Sequence, residues 1–202
     1  MVRFDGVNDI ISDADIADLD VGTGDIWMAS VFKSTDNSAA QFIFEKGGNQ
    51  FGLVTTSAGI LQARMGGTTN IPEQSSGNWS RTEFVMVTAS RVSSTCNGFV
   101  NGSDMTTTGT TNSGSISNSN VFDVGAASVG SQAVIGDIAE ILVGGATLST
   151  EDRQKIEGYL AHRYGLEGNL PSDHPYTSAA PTTGAVRSLF GGNQLFGQGL
   201  IR

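Results

Sequence analysis

The sequence predicts a mainly β protein: a two-sheet antiparallel jelly-roll sandwich with one C-terminal accessory helix and an extended tail. Three observations carry this. Nine to twelve short β-type runs occupy about 145 residues, with turn residues every eight to twelve positions. Charged residues make up only 15% and hydrophobic ones 38% of the 202 residues, and 27 Gly, with Ser, Thr and Asn adding about another quarter, fill the difference. One helical pattern stands out, and it follows all the strands. Gly, Ser, Thr and Asn are poor in helix interiors, which excludes a helical bundle or coiled coil. Sparse charge and regular apolar runs exclude a disordered polyampholyte.

The elements follow in order. Val2 to Asp5 reads as a strand, followed by the turn Gly6-Val7-Asn8-Asp9 and then Ile10-Ile11. From Asp25 to Lys33 the chain alternates, with Ile26, Met28, Ser30 and Phe32 on one face and Trp27, Ala29, Val31 and Lys33 on the other. Gln41–Lys46 and Phe51–Thr55 flank Gly47-Gly48-Asn49 as a hairpin. Gly59–Met65, Glu83–Arg91 and Cys96–Val100 are further strands, the last ending at the turn dipeptide Asn101-Gly102. Val121–Val124 and Gly136–Val143 complete them. The helix begins at Ser149 or Thr150 as cap, with Glu151 and Asp152 in its first turn. Ile156, Tyr159 and Leu160 form its inward stripe, and Gly165 ends it.

The division expected is a jelly roll over 1–148, a helix and strap packed on it over 149–176, and a Gly-rich arm over 177–202. Residues 1–170 hold 9 basic and 19 acidic side chains, whereas the remainder carries Arg187 and Arg202 against Asp173. The overall charge of −9 and the lack of any basic run speak against a nucleic-acid partner. Leu189, Phe190, Leu195, Phe196, Leu200 and Ile201 are the apolar anchors of the arm, expected to grip a neighbouring subunit or to fold back on the sandwich. Cys96 is the only cysteine and reads as a small core residue. No stretch approaches the length of a membrane span, and no signal peptide precedes the first strand, so synthesis in the cytoplasm without the usual export is expected.

Several segments together resemble the concanavalin A-like lectin/glucanase (laminin-G-like) superfamily. They are Arg3 to Asp9, Gly24 to Lys33, Gly98-Phe99-Val100-Asn101-Gly102, and Gly136 to Val143 followed by Leu148-Ser149. The helix with Arg163-Tyr164-Gly165-Leu166 and His174-Pro175-Tyr176 is similar to an extension common among tailed-bacteriophage and some bacterial versions. The resemblance covers about residues 2–176. It implies the jelly roll, and leaves function open, because the fold hosts lectins, hydrolases, lyases and scaffolds.

A glycosidase of this type needs two carboxylates flanking one bond. The closest match, Asp137 and Glu140, lies three residues apart and faces opposite ways in a regular strand unless a bulge intervenes. With one Cys and two His, zinc chemistry is not expected. His162 and His174 read as structural. Asp5, Asn8 and Asp9 are the candidate calcium ligands, since the family often holds that ion between edge loops. Asp13, Asp15, Asp18, Asp20 and Asp25 crowd the next loop, read as a solvated turn or short helix capped by Ser12. Trp79, Asn78 and Asn101 are the candidate glycan contacts, by stacking and by hydroxyl recognition.

The resemblance leads to one expectation for function: a non-enzymatic bacteriophage virion surface protein, a capsid decoration or fibre-like component. It would bind other virion proteins as a homo-oligomer, with a trimer fitting that role, and contact glycans. The alternative is a stand-alone carbohydrate-binding module or adhesin, and a glycoside hydrolase or lyase ranks third. No membrane or nucleic-acid partner and no cofactor other than calcium is expected.

Overall fold

The computed structural model describes residues 1–35, 38–47, 49–127 and 132–182. Thirteen strands are present among them: β1 (Val2–Asp5), β2 (Ile11–Asp13), β3 (Ile26–Ser34), β4 (Gln41–Lys46), β5 (Phe51–Thr55), β6 (Leu61–Met65), β7 (Glu73–Gln74), β8 (Val85–Val92), β9 (Thr95–Val100), β10 (Ser103–Asp104), β11 (Thr110–Thr111), β12 (Phe122–Val124) and β13 (Ile135–Gly144). They form two antiparallel sheets. One runs β1-β13-β3-β8-β9-β10, with β11 also on β9; the other runs β2-β12-β4-β5-β6-β7. The fold is therefore the two-sheet sandwich that the alternating runs predict.

The alternation in β3 explains how three layers form. Ile26, Met28 and Phe32 enter the core between the sheets, where they meet Phe44, Phe51, Leu53, Met65, Val87 and Cys96. Trp27, Ala29 and Val31 face the other way and, with Met86 and Leu142, make a floor for Ile156, Leu160 and Ala161 of the helix α1 (Thr150–Tyr164). Each large side chain buried on either face contributes about 1.5–3 kcal/mol. Ser149 caps α1 by accepting from the Asp152 N–H at 3.1 Å. Gly165 ends it at φ 68°, with its N–H on the Ala161 carbonyl.

A buried polar knot fastens the helix to the sheet. Thr88 of β8 donates to Glu157 Oε1 at 2.5 Å, Arg153 reaches both carboxylate oxygens at 2.7 Å, and His174 Nε2 lies 3.1 Å from Oε2. The Arg153 guanidinium also lies 3.7 Å from the centre of the Phe99 ring. His174 thus ties the segment after α1 back onto it, and His162 does the same through the Tyr176 carbonyl at 2.9 Å.

One end of the sandwich is closed by another buried cation. Arg91 of β8 is fully buried and donates to the carbonyls of Gly22, Gly24, Met65 and Gly114. Burial pulls its pKa below the ordinary guanidinium value, and the four carbonyls supply the acceptors that water would otherwise supply. Cys96, also buried, has its thiol pKa pushed up by the same removal from water.

The expected Ser12 cap is not formed, while the expected short turn is. Ser12 caps no helix: it sits in β2 and donates to Asp123 of β12. The turn that follows is a single 3-10 turn at Ala17–Leu19, with no side-chain cap bond.

Candidate functional site

An open cleft of about 560 Å³ lies where the C-terminal end of α1 meets the start of β8. It is lined by Ser80, Glu83, Phe84 and Val85 from the approach to β8, Asn101 from the β9–β10 turn, and Tyr164 to Leu166 with Asn169 from the end of α1. Each segment is set by local chemistry. Asn101 and Gly102 have φ of 51° and 80°, the left-handed pair that a tight hairpin turn demands. A Cβ on Gly102 would press on Pro171 Cδ at 3.1 Å, so the turn lies close against the segment following α1. Asn101 Oδ1 accepts from the Met86 N–H at 2.9 Å, which fixes the side chain against the start of β8. Ser80 Oγ accepts from the Glu83 N–H at 3.2 Å and shapes the near wall.

Tyr164 contributes its ring rather than a free hydroxyl. Its OH lies 2.8 Å from Glu140 Oε2 and 3.1 Å from the Ala139 carbonyl. Burial first, and then the Glu140 carboxylate, push that hydroxyl well above the ordinary phenol pKa. Tyr159 OH bonds Glu140 Oε1 at 3.1 Å, and Arg163 Nε lies 3.3 Å from Oε2. Phe84, the second ring of the cleft, has Lys33 Nζ 5.2 Å from its centroid. Among the described residues, Glu83 is the one charged side chain lining the cleft.

The expected opposition of Asp137 and Glu140 is overturned by a β-bulge between Ile138 and Glu140 where β13 pairs with β3. The extra residue turns Glu140 to the helix side of the sheet, the side from which Asp137 meets Arg3 at 2.9 Å and Lys33 at 3.1 Å. Each carboxylate is engaged by its own partners: Asp137 by two cations, Glu140 by two tyrosines and Arg163. The arrangement locks β1, β3 and α1 onto β13.

The candidate glycan contacts separate. Asn101 lines the cleft. Trp79 does not; its ring packs on the core beside Phe32 at 6.2 Å, under the Arg81 guanidinium at 5.3 Å, and its Nε1–H donates to the Gly59 carbonyl at 3.0 Å. Asn78 is exposed on the same loop, with Nδ2 3.4 Å from Thr106 Oγ1. The arm residues Leu189, Phe190, Leu195, Phe196, Leu200 and Ile201 lie outside the described residues. Ser80, Glu83, Phe84, Tyr164 and Asn169 were missed as a group, because no spacing signals a cleft assembled from positions 80 to 169.

The candidate calcium ligands Asp5 and Asp9 take part in a local turn. Asp5 Oδ1 accepts from the Val7 N–H at 2.9 Å and Asp9 Oδ2 accepts from the Asp5 N–H at 2.9 Å. These carboxylates stabilise their own turn, as Asx residues do. Among the described residues, no group of three or more His, Cys, Asp or Glu side chains is arranged to hold a metal ion.

A second polar cluster lies on the outer face of the six-stranded sheet. Asp123 stands opposite Glu45, Glu45 opposite Gly52, and Gly52 opposite Arg64. Arg64 lies against the Phe42 ring at 5.2 Å and bonds Gln62 Oε1 at 2.8 Å. Asp123, Glu45 and Arg64 are all buried, so this row is closed to solvent while the cleft at α1 is open. No helix among the described residues is long and apolar enough to cross a membrane.

No protein-family model and no curated protein matches the sequence. Solved structures do match in fold. A Trypanosoma rangeli sialidase in complex with 2,3-difluoro-KDN superposes with a TM-score of 0.58 at 11% identity, over 80% of this chain and 27% of that one. The same enzyme with 2,3-difluorosialic acid, described as a covalent intermediate, gives 0.58 at 12% identity and the same coverage. The CBM40 of the Ruminococcus gnavus IT-sialidase, bound to alpha2,3 sialyllactose, gives 0.47 at 17% identity, over 65% and 81% of the two chains. The chain thus spans about a quarter of the length of the sialidases it matches. What this likeness shows is the fold alone: a two-sheet antiparallel β-sandwich.

Proposed function

We infer that this protein is a non-enzymatic, lectin-like carbohydrate-binding domain, and that the cleft at the end of α1 holds the sugar. The observation that carries the reading is the lining itself. Two aromatic rings, Phe84 and Tyr164, stand beside Ser80, Asn101 and Asn169 in an open cleft of about 560 Å³. Rings offer stacking surface to the C–H face of a pyranose, while amides and hydroxyls pair with its hydroxyl groups. The lectin-type fold supports the same reading as an analogy of fold alone.

The charge narrows the ligand class. Glu83 lines the cleft and the protein carries −9 overall, which disfavours a carboxylated sugar. The ligand is therefore a neutral oligosaccharide, bound without turnover. The described residues add nothing to the expectation of a place on a virion, so the carbohydrate-binding reading stands ahead of it.

The test is a printed array of neutral and sialylated oligosaccharides probed with the full chain. Each hit is then titrated by calorimetry, and the sugar is recovered for product analysis. Saturable binding of a neutral sugar, recovered intact, is the expected result. Cleaved product would replace the reading with a hydrolase, and an array without hits would remove it.

A further inference from the structure

The stretch from the end of β2 to the start of β3 holds Asp13, Asp15, Asp18, Asp20 and Asp25 within thirteen residues, a composition suited to a divalent cation. In the fold, the position among its inward oxygens is taken by a side chain. Lys46, the last residue of β4, places Nζ 2.7 Å from Asp20 Oδ1, 2.9 Å from Asp15 Oδ1 and 2.7 Å from the Asn118 carbonyl. Its side chain is 1% exposed. An alkylammonium has three N–H donors, and here each has an oxygen.

The two loops that meet on this nitrogen make further contacts. The Asn118 N–H donates to Asp20 Oδ1 at 3.0 Å, and the Gly22 N–H donates to Ser117 Oγ at 2.8 Å. Asn118 Nδ2 bonds Gln50 Oε1 and the Ile116 carbonyl, both at 2.9 Å. A Cβ on Gly47 would collide with Asn118 Nδ2 at 2.2 Å, so the chain needs glycine there to bring Lys46 and Asn118 together.

We propose that the Lys46 ammonium is a built-in cation, taking the part of a bound divalent ion by holding the Asp15–Asp20 loop to the Asn118 loop and making this end of the sandwich independent of metal. Burial alone works against the charge on Lys46, but the bonds to Asp20 and Asp15 outweigh it and hold the pKa above the ordinary lysine value. Calcium accepts the same kind of oxygens, two carboxylates and a carbonyl, and completes its shell with water. Removing the ammonium therefore leaves a site of opposite charge that the metal fits.

The experiment uses the full chain and calcium chloride as the probe. Thermal melts of the wild type with EDTA, and with about 10 mM calcium, are expected to coincide. Lys46→Ala is expected to melt several degrees lower in EDTA and to recover at least half of the loss in calcium. Lys46→Ala combined with Asp20→Asn is expected to lose that recovery. If Lys46→Ala does not fold in EDTA, refolding it in calcium gives the same readout, and folding only with the metal supports the proposal. A wild-type melt that moves with calcium or EDTA overturns it. So does a Lys46→Ala protein that calcium neither rescues nor folds.

Discussion

Glu157 of α1 and His174 of the segment after it meet at 3.1 Å in a site closed to water. Nδ1 of the same ring accepts from the Tyr176 N–H at 3.3 Å, which orients Nε2 towards the carboxylate. Thr88 and Arg153 fill the remaining capacity of Glu157. The histidine is a structural clasp, as expected for it.

Glu157→Ala removes the acceptor shared by Thr88, Arg153 and His174. Breaking a buried charged network by deleting one partner costs about 3–5 kcal/mol. Chemical denaturation is expected to show a lower midpoint, and hydrogen exchange a loss of protection in α1 ahead of the sheets.

Arg91→Met retains volume but takes the side-chain donor from the carbonyls of Gly24, Met65 and Gly114, while the Gly22 carbonyl keeps the Ile116 N–H at 3.0 Å. Unpaired buried acceptors cost about 1–3 kcal/mol each where water cannot reach them. A fall in Tm of about 10 °C or more follows for a chain of this size. A fall of only a degree or two would mean that water or a local shift replaces the guanidinium.

Stability depends on acid through three aspartates. Hydrogen bonds from Arg3 and then Lys33 hold Asp137 below the usual carboxylate range, Lys46 and the Asn118 N–H do so for Asp20, and Thr147 and the Ser93 N–H for Asp25. Each is lowered in the fold, so its contribution is complete above the unfolded value near 4 and is lost as pH falls through the folded value. Melting temperature is expected to be set by other groups from pH 7 down to about 5 and to drop below about 4. Asp25→Asn is expected to lower the neutral plateau and make the acid limb shallower.

Trp79 and Asn169 separate stability from binding. Trp79→Ala removes a ring packed on the core and is expected to cost about 3–5 kcal/mol of stability, with sugar affinity of the folded fraction unchanged. Asn169→Ala touches only an exposed rim of the cleft, so stability is expected to hold while affinity falls about two- to tenfold, the value of one hydrogen bond. The reverse pattern would move the site to the Trp79 loop.

Much of the fold was legible because alternation of side chains along a strand reports directly on which faces are buried. Ile26, Met28 and Phe32 against Trp27, Ala29 and Val31 is the clearest case, and the Ser149 and Gly165 caps of α1 are another. The bulge after Ile138 was not legible, since one inserted residue leaves no mark in the pattern yet turns Glu140 to the other face. Nor was the pairing of Lys46 with Asp15 and Asp20, because an inward lysine at the end of an apolar strand looks like any strand terminus. The cleft was the least visible, as its walls come from three separate segments brought together by packing alone.

The most direct test of carbohydrate binding at the α1 cleft is an amide proton–nitrogen correlation spectrum of the full chain, titrated with the neutral oligosaccharide that ranks first on the array. The account predicts saturable shifts concentrated at Glu83 to Val85, Asn101 and Tyr164 to Asn169. Shifts confined to the Trp79 loop or to the face carrying Glu45 and Asp123, or no shifts at millimolar sugar, would contradict it.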